Sequence, residues 1–148
     1  MSSHNTNENL YFSLDRAALL LRRYVYDVLS EHDLSPEQWE IFQYIDFHGG
    51  VTQRELTDKT MRNKGNLSRT LARMEKQGWI SKVAHPENKR GFIICLTGQG
   101  KLMKKHMPQI IEKQMLKVLG GFDKKEKLDL ISVLGSLRSV LCDDHIAK

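Results

Sequence analysis

Arg69 and Arg73 stand one helical turn apart within residues 64–79, and Lys89 and Arg90 stand side by side just before Gly91. Guanidinium and ammonium groups at such spacings do recognition: they donate charge-assisted hydrogen bonds to phosphate or carboxylate oxygens. An arginine also presents two parallel donors to a planar pair of acceptors. Lys64, Asn66 and Ser68 add donors at the expected start of the same helix, where backbone amides and the helix dipole favour phosphate. Gly91 is the residue expected to let the turn after Lys89 and Arg90 reverse.

The setting of these groups sharpens the reading. The 148-residue chain carries a net charge of +5, with 40% apolar and 28% charged residues. Residues 54–90 hold ten Lys/Arg against four Asp/Glu, a local +6, so the remaining residues together carry −1. A basic block between nearly neutral flanks focuses a field that attracts polyanions. Other functions lack their residues. No nucleophile sits with a partnered base, no glycine loop is built to cradle phosphate, and no paired acids stand in a recognisable frame, so an enzyme is not expected. Cys95 and Cys142 form no Cys-x-x-Cys and have no zinc-ligand spacing around them; two buried free thiols are expected, with no metal and no cofactor. No apolar run is long enough to span a bilayer and no secretory leader opens the chain, which points to a cytoplasmic protein.

The chain is about the size of one domain. Residues 1–9 are polar and expected to be disordered. The string ENLYF at 8–12 matches part of a protease-site tag, but Ser13 stands where that site needs Gln. Leu10, Leu14, Ala17, Leu21, Val25 and Val28 recur at helical steps through it, which predicts a first helix over about 9–32. Three capping boxes follow: Ser35 with Gln38, Thr52 with Glu55, and Asp123 with Glu126. Leu34 and Trp39 are placed to staple the second helix. Gly49 and Gly50 read as its stop. A short helix over about 52–60 precedes one from Lys64 whose apolar face is Leu67, Leu71 and Met74, ending at Gly78. Its other face carries Asn66, Arg69, Arg73 and Lys76. ISKVAH and GFIICLT read as two strands around the turn containing Lys89 and Arg90. Helices follow over 98–119, with Pro108 as a kink or interruption, and over 123–142, where Leu130, Leu134, Leu137 and Leu141 repeat. The expected fold is mainly α with a small β wing: a winged helix-turn-helix lobe over 35–97, with dimerisation helices over 10–34 and 98–148. The wide apolar faces of the terminal helices suggest a dimer interface.

From GNLSRTLARMEKQGWI into HPENKRGFIICLTGQG, the chain resembles the MarR family of bacterial winged-helix transcription regulators, and the resemblance covers nearly its whole length. The most specific part is the wing, where His85-Pro86-Glu87-Asn88-Lys89-Arg90 leads through a strand to Leu96-Thr97-Gly98-Gln99-Gly100. The resemblance implies a homodimer on double-stranded DNA, with a recognition helix in the major groove and the wing in the flanking minor groove. It puts Arg69 in the major groove and Arg90 in the minor groove, where narrow A·T-rich sequence draws in an arginine. Lys89 would then contact phosphate. The family's wing aspartates are His85 and Asn88 here. Asn88 brings no charge to an arginine, so a looser wing is expected, and His85 is expected to be a solvated turn residue.

The resemblance also implies release by a small phenolic or anionic effector, for which Arg22 and Trp39 are the candidates. The first helix has no cysteine, which disfavours the peroxide-sensing mechanism of some relatives, and His32, His48 and His106 are too scattered for a zinc sensor. The expected function is a sequence-specific, dimeric DNA-binding regulator, a repressor, acting at a near-palindromic operator. The alternative is a winged-helix protein-interaction module with a basic face. Basic residues on both the recognition helix and the wing favour DNA.

Overall fold

The computed structural model describes residues 3–143 and divides into two compact units, residues 1–111 and 112–148. In chain order the elements are α1 (Ser3–Ser30), α2 (Pro36–Tyr44), β1 (Gly50–Thr52), α3 (Gln53–Thr60), α4 (Lys64–Lys76), β2 (Ile80–Ala84), β3 (Phe92–Leu96), α5 (Gly98–Leu119) and α6 (Lys124–Leu141). The mainly helical winged helix-turn-helix expected from the sequence is present. Two details differ. The helix begins at Ser3, so residues 3–9 are not disordered: no Pro or Gly interrupts the chain between Ser3 and Ser30, and polar residues oppose helix by only tenths of a kcal/mol each. The sheet has three strands, because β1 pairs antiparallel with β3, giving the order β1-β3-β2.

That third strand explains Gly50. It is the first residue of β1, opposite Cys95, rather than a helix stop. A Cβ on Gly50 would lie 2.1 Å from Ile93 Cγ2 and 3.0 Å from Cys95 Sγ, so the strand is admitted only because this side chain is missing.

Local chemistry sets the helix starts. Ser35 and Gln38 form a complete capping box, as do Asp123 and Glu126. Thr52 caps α3 by accepting from the Glu55 N–H at 3.1 Å. Each such cap stabilises by about 1 kcal/mol. Thr97 does the same for α5: its Oγ1 accepts from the Gly100 N–H at 3.0 Å. Gly100 is required there, since a Cβ would meet the Trp79 carbonyl oxygen at 1.9 Å. The Leu-Thr-x-x-Gly exit from the wing is thus a cap and a close approach in one motif. α5 runs on to Leu119 with Pro108 inside it, uninterrupted.

The first unit has a continuous core. Leu29, Ile41, Phe42, Ile45, Leu56, Leu71 and Met74 are fully buried, and the Phe42 and Trp79 rings meet at 5.7 Å. Leu34 is buried but Trp39 is only half-buried; the buried tryptophan is Trp79. Lys104, in the first half of α5, donates to the Ile45 carbonyl at the end of α2 and lies over the Phe47 ring. Among the described residues of α1 only Val25 and Leu29 are buried, whereas Leu10, Leu20 and other apolar residues are exposed. In the second unit α6 buries nothing: Leu130, Ile131, Val133, Leu137 and Leu141 all face outward.

Candidate nucleic-acid interface

The helix α4 is locked from below and bare above. Asn63 caps α4 by accepting from the Asn66 N–H at 2.8 Å, and Leu67, Leu71 and Met74 are buried beneath it. The 3.6-residue period then turns Asn66, Arg69 and Arg73 outward together, and all three are exposed. Lys64 is exposed at the first turn. The turn before it is made by Met61 in the left-handed conformation, φ 57°. It is held by Arg62, whose guanidinium donates to Glu40 on α2 at 3.0 Å. Arg62 therefore belongs to the scaffold, although it contributes to the basic block.

Two contacts tune the exposed face. Arg69 Nη2 donates to Asn66 Oδ1. Reading adenine with both amide atoms requires that same oxygen as an acceptor. That oxygen has two lone pairs, so one can hold Arg69 while the other faces a base. Ser68 is exposed, and its hydroxyl takes a hydrogen bond from Gln53 Nε2 at 2.6 Å. Ser68 thus ties α3 to α4 as well as standing near the helix start.

At the wing, Lys89 and Arg90 are exposed, and their side chains have no hydrogen-bond or ion-pair partner among the described residues. Asn88 Oδ1 accepts from the backbone N–H of Arg90 at 3.1 Å, leaving the guanidinium free. The turn is therefore tied rather than loose, and it is tied through backbone. His85 is not a solvated turn residue: it is half-buried, and its Nδ1 accepts from the N–H groups of Glu87 and Asn88. Gly91 has no positive φ; the left-handed glycine here is Gly78, φ 83°. Gly91 instead pairs through its backbone, donating to Asn88 O at 3.0 Å and accepting from the His85 N–H at 3.1 Å.

Between wing and helices lies a groove of about 640 Å³, and it joins the two halves of the site. Lys64 lines it from α4 and Arg90 from the wing, with Arg54 from α3, Lys82 from β2 and Asp58 as the acid among them. Arg54 and Lys82 belong to the basic block but were not among the residues expected to contact DNA. Their signal was charge alone, and only the sheet and the start of α3 bring them beside Arg90.

The two effector candidates are not brought together. Arg22 lines a cleft of about 350 Å³ with Leu19, Arg23, Tyr26, Asp27, Pro36 and Glu37, and it forms an ion pair with Glu37. Trp39 does not line that cleft. Cys95 is half-buried and Cys142, at the C-cap of α6, is exposed, so two buried thiols was wrong: a helix end offers no packing around Cys142. Among the described residues no group of three His, Cys, Asp or Glu is placed to hold a metal ion, and no helix is long and apolar enough to cross a membrane.

Comparison with known proteins gives a consistent result. The MarR family model matches residues 32–91, which span α2 to the wing turn. The chain is 25% identical over 137 residues to the transcriptional regulator PecS of Dickeya dadantii, covering 90% of this chain and 82% of that protein. It is 32% identical over 78 residues to the multiple antibiotic resistance protein MarR of Salmonella typhimurium, covering 53% of this chain and 54% of that one. A crystal structure of a mutant MarR from E. coli complexed with operator DNA superposes with a TM-score of 0.81 at 21% identity, over 93% of this chain and 99% of that one.

Proposed function

We propose that the chain is a MarR-family transcription regulator, as the family match and the similarity to PecS support, and that it is a repressor that binds a near-palindromic operator as a homodimer. The observation that carries the DNA reading is the basic groove. Cations from α3, α4, β2 and the wing turn converge on one face, as a duplex requires and an isolated charged helix would not supply. Arg69 and Arg73 are the candidates for base edges in the major groove, and Arg90 is the candidate for the minor groove. Lys64, Asn66, Ser68 and Lys89 take phosphate or orient the readers.

The exposed apolar faces of α1 and α6 support the dimer. Leu130, Ile131, Val133 and Leu141 are all exposed along one helix, the kind of apolar surface that marks an interaction site. Two copies related by a two-fold axis would present two recognition helices to two half-sites one helical turn apart. For the effector, the cleft at Arg22 fits a small anion with an apolar or phenolic body. Such a ligand competes with Glu37 for the guanidinium and packs on Leu19 and Pro36.

The test is fluorescence anisotropy with DNA upstream of the chain's own gene, at two salt concentrations, against a random duplex. Preference for the upstream DNA that weakens with salt and with Arg90→Ala supports the reading. Equal weak binding to every duplex leaves a basic surface only and favours a protein partner.

A further inference from the structure

Between β2 and β3 the chain reverses over residues 85–91, and one imidazole organises the reversal. His85 Nδ1 accepts from the Glu87 N–H at 3.0 Å and from the Asn88 N–H at 3.1 Å. Pro86, between them in sequence, has no N–H to offer. Asn88 in turn holds the next link, because its Oδ1 accepts from the Arg90 N–H at 3.1 Å. The path from His85 to Arg90 is therefore two consecutive side chain–backbone anchors, and the guanidinium at its end is free to reach outward.

A ring nitrogen that faces two N–H donors must present a lone pair. The imidazole is then neutral, with its proton on Nε2. Protonation would put a third N–H into the same small space, turning two attractive contacts into repulsive ones. The charged groups that share the groove with His85 are Arg54 and Asp58 on α3, Lys64 on α4, Lys82 on β2 and Arg90 in the turn, with Glu87 beside it in the chain. None of them supplies an acceptor to the Glu87 or Asn88 N–H in its place.

We propose that His85 is the positioning residue of the wing: neutral, it fixes the turn that presents Arg90 to the duplex, and protonated, it releases that turn. The inference rests on the DNA reading above and adds a pH dependence to it. Acid then lowers discrimination between operator and random DNA. The general attraction of a basic surface for polyanion persists.

The test has one arm without DNA and one with it. In the free protein, 15N NMR between about pH 5 and 8, where histidine changes charge, follows the His85 ring and the wing amides. The expected result is an Nε2–H tautomer at the upper end, with the Glu87 and Asn88 amide signals moving as the ring protonates. An Nδ1–H tautomer, or wing amides indifferent to the ring, overturns the assignment. In the second arm, the ratio of affinities for the upstream duplex and a random duplex is compared at pH 7.5 and 5.5. Wild type is expected to lose about tenfold of that ratio in acid, the size of a lost base-edge contact. His85→Asn offers a non-titrating acceptor in an Asx turn, and its ratio should stay level with pH and near the neutral wild-type value. His85→Ala should be low at both. If wild type discriminates through Arg90 but its ratio is flat with pH, the proposal fails and the DNA reading stands. If wild type discriminates at neither pH, the DNA reading fails and takes the proposal with it.

Discussion

Gln38 and Gln77 meet side chain to side chain, Nε2 to Oε1 at 2.8 Å, where the first turn of α2 reaches the end of α4. Gln38 is fully buried, and its own oxygen accepts from the Ser35 N–H at 3.0 Å. Gln77 passes the chain on by donating to the Asp33 carbonyl at 2.9 Å. A capping box, a buried amide and the end of the recognition helix thus form one polar relay.

Breaking the relay strands a buried amide. Gln77→Ala leaves Gln38 Nε2 without its partner, a loss of about 1–3 kcal/mol. Chemical denaturation should show it as a lower midpoint with an unchanged slope. Gln38→Leu with Gln77→Ala should lose less than the two single changes added together.

Gly50→Ala should destabilise by about 1–3 kcal/mol, because the added methyl overlaps Ile93 Cγ2. Adding Ile93→Ala removes the overlapping carbon. The double variant should then recover part of the loss left after allowing for the Ile93 truncation itself. Thermal melts of the four proteins decide it; a neutral Gly50→Ala would mean that β1 is dispensable.

Arg69→Ala and Lys89→Ala should fail differently on DNA. Losing a base-edge contact costs about 1–3 kcal/mol and relaxes preference at one base pair, which competition with operator variants reads. Losing a phosphate contact weakens binding to all duplexes alike and lowers the slope of log affinity against log salt by about one. Identical behaviour of the two variants would contradict the division of roles.

Ile131→Glu tests the dimer. A charge on the outward face of α6 should shift sedimentation from dimer to monomer and weaken operator binding with it, while the core of the first unit, to which α6 contributes no buried residue, stays folded. A wild-type protein that sediments as a monomer at micromolar concentration would remove the dimer reading outright.

What was legible in the sequence is what is local. Ser35, Thr52 and Asp123 announce helix starts because a cap needs only residues within one turn. Leu67, Leu71 and Met74 mark a buried face because period alone decides it, and that face fixes where Arg69 and Arg73 point. The misses are non-local. β1 has three residues, Gly-Val-Thr, and becomes a strand only because β3 lies beside it, Gly50 opposite Cys95. His85 looked like a surface residue because no pattern reports that a ring nitrogen will face two amides. Arg62 counted toward a basic patch, yet Glu40, twenty-two positions earlier, claims it. Arg54 and Lys82 join Arg90 only through the start of α3 and the sheet.

The strand order β1-β3-β2 has a consequence for how the molecule is made. β1 and β2 pair only with β3, the last of the three to be synthesised, so neither edge has a partner until residues 92–96 have left the ribosome. The helix-turn-helix can form earlier, but its sheet closes in one late step across some forty-five residues of chain, with the entropy that so long a loop carries. A fragment cut at the end of the family match, residues 32–91, holds every nominated DNA contact and lacks the strand that joins them. The natural minimum for a folded lobe runs through Leu96 and the Thr97 cap into α5, whose Met107 and Ile111 are buried.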